Sequence, residues 1–267
     1  NFTPTDDSIY DAASDETATI AINGVSGKTG VAEHGTPQTV TITITDNESA
    51  PTVTLAAASS SIDENSGSTI TLTATVSTAT FQDVTVSIDG TGGTGTEGTD
   101  FGTVSDITIS AGSTTGTVNF TPTDDSVYER DETAIISIDS VSGGSATESG
   151  TQAVTITISE NESAPTVTLA VSATSIAENA GSSLTLTATL SGTTDSVITV
   201  ALDTSGTATE GTDYTDGSGN IDDITISAGA TTGTVNFTPT DDSIYDATSN
   251  ETATIAINGV SGKTGVA

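Results

Sequence analysis

The sequence contains no cysteine, no methionine and no tryptophan, and it has very few basic residues. Without cysteine it can form neither disulfides nor zinc–thiolate sites. Its three cations, Lys28, Arg130 and Lys263, face 36 acidic residues, and the formal net charge is −33. Nucleic acids and anionic membranes are bound through Lys and Arg, so both are excluded as partners. No apolar run approaches the roughly 18 residues of a membrane span, so no membrane insertion is expected.

Aromatic residues are also scarce, at 3% of the chain. A core must therefore be built mainly from Val, Ile, Leu and Ala. These side chains bury less area than aromatic ones, so packing alone stabilises such a domain only modestly. Bound metal could then contribute to the stability of the fold, because a ligand that binds only the folded state raises the free energy of unfolding by mass action.

Internal repeats organise the chain. The segment NFTPTDDSIY at residues 1–10 returns unchanged at 236–245 and with one substitution at 119–128. The segment NESAPTVTL at residues 47–55 returns at 161–169. These markers divide the chain into an opening segment (residues 1–50), a complete repeat (51–164) and a final segment (165–267).

A longer period joins the two ends. Residues 1–32 match residues 236–267 at all but two positions, Ala13/Thr248 and Asp15/Asn250. Two non-identical repeat types therefore alternate with a period of 235 residues. The opening segment corresponds to the last part of a repeat, and the final segment lacks a counterpart of residues 33–50. The pattern predicts a window of a longer array in a long or filament-forming parent protein.

Within each repeat, polar and apolar residues alternate with the period of two that is typical of half-buried strands. The complete repeat has such runs at residues 51–56, 69–76, 84–88, 107–109, 117–120, 134–138 and 154–158. Clusters of Gly, Ser, Asn and Asp separate them, as turns require. The predicted fold class is all-β, with tandem Ig-like antiparallel β-sandwiches of about seven strands each in an elongated array.

Acidic residues of the complete repeat concentrate in four motifs, SIDENSGS (61–68), TEGTDF (96–101), TDDSVYERDE (123–132) and SENES (159–163). Sandwich loops lie at the two ends of a domain, so acids in alternate loops converge. Without cations these charges would repel one another at short range. Calcium takes about six to eight oxygen ligands, and about eight carboxylates could hold three or four ions. Magnesium fits less well because it keeps its waters.

The sequence allows two other interpretations, an acidic solvating surface and an enzyme. An acidic surface could serve only solubility or salt tolerance. It would spread acids along exposed strand faces, which here carry mostly Thr and Ser. Catalysis is not expected, because His34, the one histidine, lies in a predicted loop with no nucleophile triad around it. A carboxylate pair for glycoside hydrolysis would need a sugar cleft with stacking aromatics, and Trp is absent.

The segment VNFTPTDDSVYERDETAIISI at residues 118–138 resembles the Calx-β family, calcium-binding sandwich repeats of sodium/calcium exchangers, an integrin subunit and many bacterial adhesins. Its doubled Asp, aromatic residue and Glu-x-Asp-Glu before a strand match that family's pattern. The resemblance implies Ca²⁺ as the cofactor. It implies these ligands in the complete repeat: Glu64, Asp100, Asp124, Asp125, Glu129 and Glu132, with Glu160 and Glu162 in the linker to the next repeat.

The same likeness extends to both partial repeats. In the final segment it implies the ligands Glu178, Asp213, Asp241, Asp242, Asp246 and Glu251. In the opening segment it implies the ligands Asp6, Asp7, Asp11, Glu16, Asp46 and Glu48. The linkers depart from the family by having Asn161 or Asn47 between their two acids, so the number of ions stays open. These positions hold 20 of the 36 acids, which favours calcium over a purely solvating surface.

The predicted function is a calcium-stiffened rod, stalk or filament of a long extracellular or cell-surface protein, of the bacterial adhesin or biofilm type, and not an enzyme. Calcium ions and neighbouring repeats of the same chain are the expected partners. Strand edges with almost no Lys leave self-association into fibres open. The alternative is an adhesive module whose loops recognise a glycan or partner protein, which scarce aromatic and Arg residues disfavour.

Overall fold

The computed structural model describes residues 1–11, 15–36, 38–242, 250–263 and 265–266. The chain forms two compact units. The first unit contains residues 1–123 and 132–159, and the second contains residues 124–131 and 160–267. No helix among the described residues is long and apolar enough to cross a membrane.

The described residues before residue 160 form fourteen strands. The opening segment contains β1 (Ile9–Tyr10), β2 (Glu16–Ala21) and β3 (Thr39–Ile44). The complete repeat contains β4 (Thr52–Ala57), β5 (Ser61–Asp63), β6 (Ile70–Val76), β7 (Ala79–Thr80), β8 (Val84–Gly93), β9 (Ile107–Ile109), β10 (Thr115–Phe120), β11 (Val127–Tyr128), β12 (Glu132–Ser142), β13 (Thr147–Glu148) and β14 (Ala153–Ser159). A single 3-10 turn, Glu64–Ser66, follows β5.

The complete repeat is a two-sheet sandwich. One sheet has the order β10-β6-β4-β13, and the facing sheet has the order β5-β14-β12-β8-β9. The long central pairings are antiparallel, whereas β13 joins β4 and β5 joins β14 as short parallel edges. The opening segment adds a separate antiparallel pair, β2 with β3.

The final segment follows a similar plan, with eight strands in the part of it that the structure describes. They are β15 (Val167–Val171), β16 (Leu184–Leu190), β17 (Thr193–Thr194), β18 (Ile198–Gly206), β19 (Tyr214–Thr215), β20 (Ile224–Ile226), β21 (Thr232–Pro239) and β22 (Ala253–Ser261). One sheet has the order β15-β16-β21-β19 and the other has the order β20-β18-β22.

The alternation seen in the sequence places one face of each strand in the core. In β6 the apolar residues Ile70, Leu72, Ala74 and Val76 are buried, while the intervening Thr residues are half-buried. The rings of Phe101 and Phe120 meet in this core with centroids 5.0 Å apart. In the second unit, Tyr214 and Phe237 stack with centroids 4.6 Å apart.

The structure confirms the predicted tandem β-sandwiches. The seven strand runs predicted in the complete repeat correspond to β4, β6, β8, β9, β10, β12 and β14. Strands β8 and β12 are longer than their apolar runs, because both continue through bulges into Gly- and Ser-rich ends. The sequence does not predict the short strands β5, β7, β11 and β13, since their two or three residues lack the apolar–polar–apolar alternation that β9 has.

Glycine is required where the two sheets of a sandwich approach at one edge. A Cβ on Gly116 of β10 would lie 2.4 Å from the carbonyl oxygen of Thr108 in β9. At the equivalent position of the final segment, a Cβ on Gly233 would lie 2.3 Å from the carbonyl oxygen of Thr225. No real Cβ contact is so short, so this edge closes only around glycine.

Replacing Gly116 with Ala should therefore force β9 and β10 apart. We expect Gly116→Ala to lower the free energy of unfolding by about 1–3 kcal/mol, the usual cost of overpacking. Urea unfolding followed by far-UV circular dichroism measures it. The matched control is Gly102→Ala, because a Cβ there comes no closer than 3.9 Å to any atom. Equal unfolding midpoints for the two variants would contradict the interpretation.

Candidate metal centre

Three predicted ligands of the complete repeat lie in the first unit. Glu64 begins the 3-10 turn after β5 and is 7% exposed. Asp100 is 9% exposed, and its Oδ2 accepts a hydrogen bond from the backbone N–H of Thr96 at 2.6 Å. Glu132 is half-buried at the start of β12. Burial of carboxylates is costly unless an opposite charge or hydrogen bonds compensate.

Asp100 and Glu132 come from distant parts of the sequence and face each other. Carboxylate oxygens of the two residues lie within 4.8 Å of one another. Both flank Gly95, where a Cβ would lie 3.5 Å from Oε2 of Glu132 and 3.7 Å from Cβ of Asp100. Two carboxylates at this separation can share one cation.

The opening segment brings all of its predicted ligands together. One small cavity of about 200 Å³ is lined by Asp6, Asp7, Asp11, Glu16, Asp46 and Glu48. Asp46 Oδ2 accepts a hydrogen bond from the N–H of Asp11 at 3.2 Å, and Asp6 Oδ1 accepts one from the side-chain amide of Asn47 at 3.3 Å. The acidic loop and the linker therefore meet, as the repeat pattern predicts.

The linker acids Asp46 and Glu48 contact each other through their side chains. A hydrogen bond between their carboxyl groups lowers the pKa of Asp46 and raises the pKa of Glu48. The Coulombic effect of Asp46 raises the pKa of Glu48 further. A calcium ion between the two carboxylates would supply the positive charge that this pair lacks.

The linker that follows β14 repeats this arrangement within the second unit. Glu160 Oε2 accepts hydrogen bonds from the backbone N–H groups of Glu129 and Arg130, the latter at 2.9 Å. The N–H of Glu160 donates to Asp131 Oδ1 at 3.1 Å. These hydrogen bonds connect the central acidic loop, residues 124–131, to the linker.

Glu160 and Glu162 are close neighbours. Their carboxylate oxygens lie within 4.8 Å, and the N–H of Glu162 donates to Glu160 Oε1 at 2.8 Å. Desolvation raises the pKa of Glu160, but the hydrogen bonds from the Glu162 carboxyl group and the surrounding N–H groups outweigh it and lower the pKa overall. Within the loop, carboxylate oxygens of Asp125 and Glu129 also lie within 4.8 Å. Asp124, the first residue of the loop, is exposed.

The final segment brings four of its predicted ligands to one cavity. Glu178, Asp213, Asp242 and Glu251 all line it. Glu178 Oε1 accepts a hydrogen bond from the N–H of Asp242 at 3.0 Å, which joins two motifs 64 residues apart. Asp241 is exposed beside Asp242, and Asp246 lies outside the described residues.

Sequence reasoning missed Asp131. Asp131 is not in the predicted ligand set, yet its Oδ1 accepts the hydrogen bond from the backbone N–H of the linker residue Glu160. Its place between Glu129 and Glu132 in ERDE was the available signal. Glu97 and Glu210, which are also outside the predicted ligand set, accept hydrogen bonds from residues close to them in the sequence. Glu97 Oε1 accepts from Val104 N–H at 2.8 Å, and Glu210 Oε2 accepts from the Thr204 hydroxyl at 2.7 Å.

Comparison with known families identifies the repeats. The profile of the Calx-beta domain matches residues 46–162 and again residues 160–265. The chain belongs to the Calx-beta family. Calx-beta domains are calcium-binding regulatory and binding domains, so the recognition made from the sequence and the cofactor, Ca²⁺, are confirmed. Comparison with curated proteins gave no significant match.

Several solved structures are similar to this Calx-beta chain. The apo-form Calx CBD1 domain is 20% identical and aligns with 41% of this chain and 98% of its own, with a TM-score of 0.36. The calcium-binding domain pair CBD12 of CALX1.1 is 20% identical over 68% of this chain and 74% of its own, with a TM-score of 0.36. Invasin, a bacterial integrin-binding protein, is 17% identical over 91% of this chain and 42% of its own, with a TM-score of 0.28.

The donor set fits calcium. Every side-chain ligand brought together is a carboxylate, which is the donor that this hard cation prefers. The chain's three basic residues cannot neutralise 36 acids, and one of them, Lys263, pairs with Asp195 at 2.7 Å, outside the predicted ligand set. The carboxyl–carboxyl contact of Asp46 with Glu48 is the arrangement that a divalent cation would relieve.

Calcium should stabilise the folded chain. For sites of about 10⁻⁴ M affinity, 1 mM calcium should raise the free energy of unfolding by about 1.4 kcal/mol per site. Urea unfolding in calcium and in chelator measures the difference. Magnesium at the same concentration is the control and should have a smaller effect. Identical unfolding curves in calcium and chelator would contradict a folding-linked site.

Glu48→Gln should weaken calcium binding to the opening segment. The substitution removes one negative charge and one carboxylate oxygen from the six-acid cavity, and ligand charge sets the affinity of such sites. We expect the affinity of one class of sites to fall about tenfold in calorimetric titration of the full chain.

The matched control is Asp89→Asn, which removes the same charge. Hydrogen bonds from the Thr91 hydroxyl and N–H lower the pKa of Asp89, so this carboxylate is ionised but lies outside the predicted ligand set. An equal loss of affinity in both variants would show that net charge alone governs binding.

Proposed function

We propose that this chain is a calcium-binding structural region of a long extracellular or cell-surface protein, in which calcium stiffens the joints between repeats. The supporting observation is that the central acidic loop of a repeat docks on the repeat that follows. It does so twice, once within each unit, with equivalent residues.

The first joint connects the opening segment to the complete repeat. Strand β1 pairs in parallel with β7, with Ile9 opposite Ala79 and Tyr10 opposite Thr80. These residues directly follow the Asp6–Asp7 pair and precede Asp11, whose N–H donates to the linker residue Asp46. One short loop therefore carries predicted ligands, docks on the next repeat and contacts the linker.

The second joint, inside the second unit, has the same contacts. Strand β11 pairs in parallel with β17, with Val127 opposite Thr193 and Tyr128 opposite Thr194. The hydroxyl of Thr193 donates to the carbonyl oxygen of Ser126 at 3.1 Å. The linker residue Glu160 accepts from the N–H of Glu129, as Asp46 accepts from the equivalent Asp11.

This repetition supports a mechanism for stiffening. We propose that the predicted acids are the calcium ligands, namely Glu64, Asp100, Asp124, Asp125, Glu129, Glu132, Glu160 and Glu162 in the complete repeat and its linker, with their equivalents in the two partial repeats. Bound calcium supplies positive charge and oxygen coordination. The loop and linker carboxylates, which otherwise repel each other, would then be held together, and the docked loop could not swing away from the next repeat.

Further parts of the proposal follow from this role. The repeats divide at residues 50/51 and 164/165, and they act without catalysis. Extracellular calcium is near millimolar, which suits the weak sites of about 10⁻⁴–10⁻³ M found in extracellular modules. This range supports a place outside the cell or on its surface, in a stalk, adhesin shaft or filament. Self-association into fibres is proposed as a further partner interaction.

Small-angle scattering of the full chain in calcium and in chelator tests the stiffening. We expect calcium to narrow the distribution of particle sizes and to increase the maximum particle dimension. The reason is that stiff joints between repeats would allow fewer bent conformations. Glu160→Gln should weaken this response, since Glu160 lies at the contact between loop and linker. Asp89→Asn, which removes the same charge elsewhere, should respond as the native chain does.

Two outcomes would contradict the proposal. Calcium binding without any change in the scattering profile would mean that the bound ion does not stiffen the joint between repeats. An equal response in Glu160→Gln and Asp89→Asn would mean that general charge screening, rather than the joint, changes the dimensions.

A further inference from the structure

One tyrosine of the central acidic loop reaches beyond its docking strand. The backbone of Tyr128 pairs with Thr194 of β17, and its hydroxyl extends toward the loop that follows β22. A Cβ on Gly265 in that loop would lie 2.7 Å from the hydroxyl oxygen of Tyr128. The φ of Gly265 is +101°, which residues with a side chain rarely adopt, so this close approach requires glycine. Tyr128 therefore lies against two separate segments of the following repeat.

The docking loop, the linker and the following repeat converge at Gly265. The same Cβ position would lie 3.5 Å from Cβ of Ala164, a linker residue. The next residue, Val266, is 9% exposed and packs in the core of the second unit. This segment is therefore anchored to the core on one side and meets the preceding loop and linker on the other. The surface formed by Thr193, Thr194 and Gly265 is called the tyrosine socket below.

An ion pair joins the two sides of the tyrosine socket. Asp195 directly follows Thr194 of β17, and Lys263 lies two residues before Gly265. Nζ of Lys263 lies 2.7 Å from Oδ1 of Asp195, and the Lys263 side chain is only 13% exposed. Salt and solvent screen a partly buried pair less than an exposed one. The pair therefore holds β17 and the loop after β22 at a fixed separation.

The complete repeat connects the equivalent segments in a different way. Its strand β7 receives β1, and the residue after β7 is Phe81, where the final segment has Asp195. Gly144 of VSGG stands where the final segment has Lys263 of VSGK. A Cβ on Gly144 would lie 2.7 Å from Cγ2 of Thr80, so β7 and the loop meet directly and leave no room for a lysine. The ion pair thus belongs to one of the two repeat types.

We propose that Lys263 and Asp195 are positioning residues of the joint, and that their ion pair shapes the tyrosine socket for Tyr128 of the preceding repeat. The docking loop is the occupant, because the backbone of Tyr128 pairs with one side of the socket and its hydroxyl lies against the other. The inference rests on the proposed role of loop docking in the joint and not on calcium. It gives one of the two joint types a contact that persists without the ion.

Proteolysis at Arg130 measures how often the docking loop leaves the socket. Arg130 is the single arginine of the chain, is exposed and lies two residues after Tyr128. Cleavage by an arginine-specific protease requires local opening, and its rate follows the population of the open form. In chelator, Lys263→Gln and Asp195→Asn should each raise this rate about threefold, as expected for a partly exposed ion pair. The double variant should be cleaved no faster than either single variant, because both substitutions remove the same interaction.

The matched control is Lys28→Gln. Lys28 is the counterpart of Lys263 in the opening segment and carries the same charge, but it lies in the first unit, outside the tyrosine socket. Its substitution should leave the rate of cleavage at Arg130 unchanged. An equal rise in the Lys28→Gln and Lys263→Gln variants, or no rise in Lys263→Gln, would overturn the proposal.

A second comparison separates the socket from the general stability of the repeat. In a Tyr128→Ala background the socket has lost its occupant, so Lys263→Gln should add nothing to the rate of cleavage at Arg130. An equal rise in both backgrounds would mean that the ion pair stabilises the repeat as a whole, which would overturn a role in docking. Because every rate is measured in chelator, failure of this proposal is distinct from failure of the calcium-dependent stiffening, which scattering reports.

Discussion

Repulsion between carboxylates is the constraint on which the rest of this structure depends. The fold places acids from separate loops within a few ångströms, and three basic residues cannot neutralise them. Neutral donors take part in holding them, and Asp46, Glu160 and Glu178 all accept hydrogen bonds from backbone N–H groups. This answer is partial, because neutral donors bring no positive charge to the carboxylates. A divalent cation completes it, which is why membership in a calcium-binding family follows naturally from the geometry.

The charged loop is also a mechanical element. Its two-residue strand, Ile9–Tyr10 or Val127–Tyr128, pairs with the following repeat, so loop position and joint geometry are coupled. A two-residue parallel bridge is weak by itself, and like charges beside it weaken it further. The proposed calcium-dependent control of the joint needs no distant pathway, because the predicted ligands and the docking strand are neighbours in one short segment.

The sandwich plan makes each repeat dependent on its last strand. In the complete repeat, β14 covers the core and pairs on both edges. A core with few aromatic side chains buries limited area, so the coverage that β14 provides matters to its stability.

The sequence by itself determined the all-β class, the positions of seven strands and the family, because period-two alternation and loop motifs are local properties. It also pointed to loops whose acids meet, such as Glu178 with Asp242 and Asp100 with Glu132. Only the tertiary structure decided which contacts the acids make. Asp131 emerged as a linker contact because loop and linker meet in space, and Glu97 turned into its own loop because Val104 N–H lies in reach. The short docking strands likewise arise from pairing between distant segments, which no local pattern encodes.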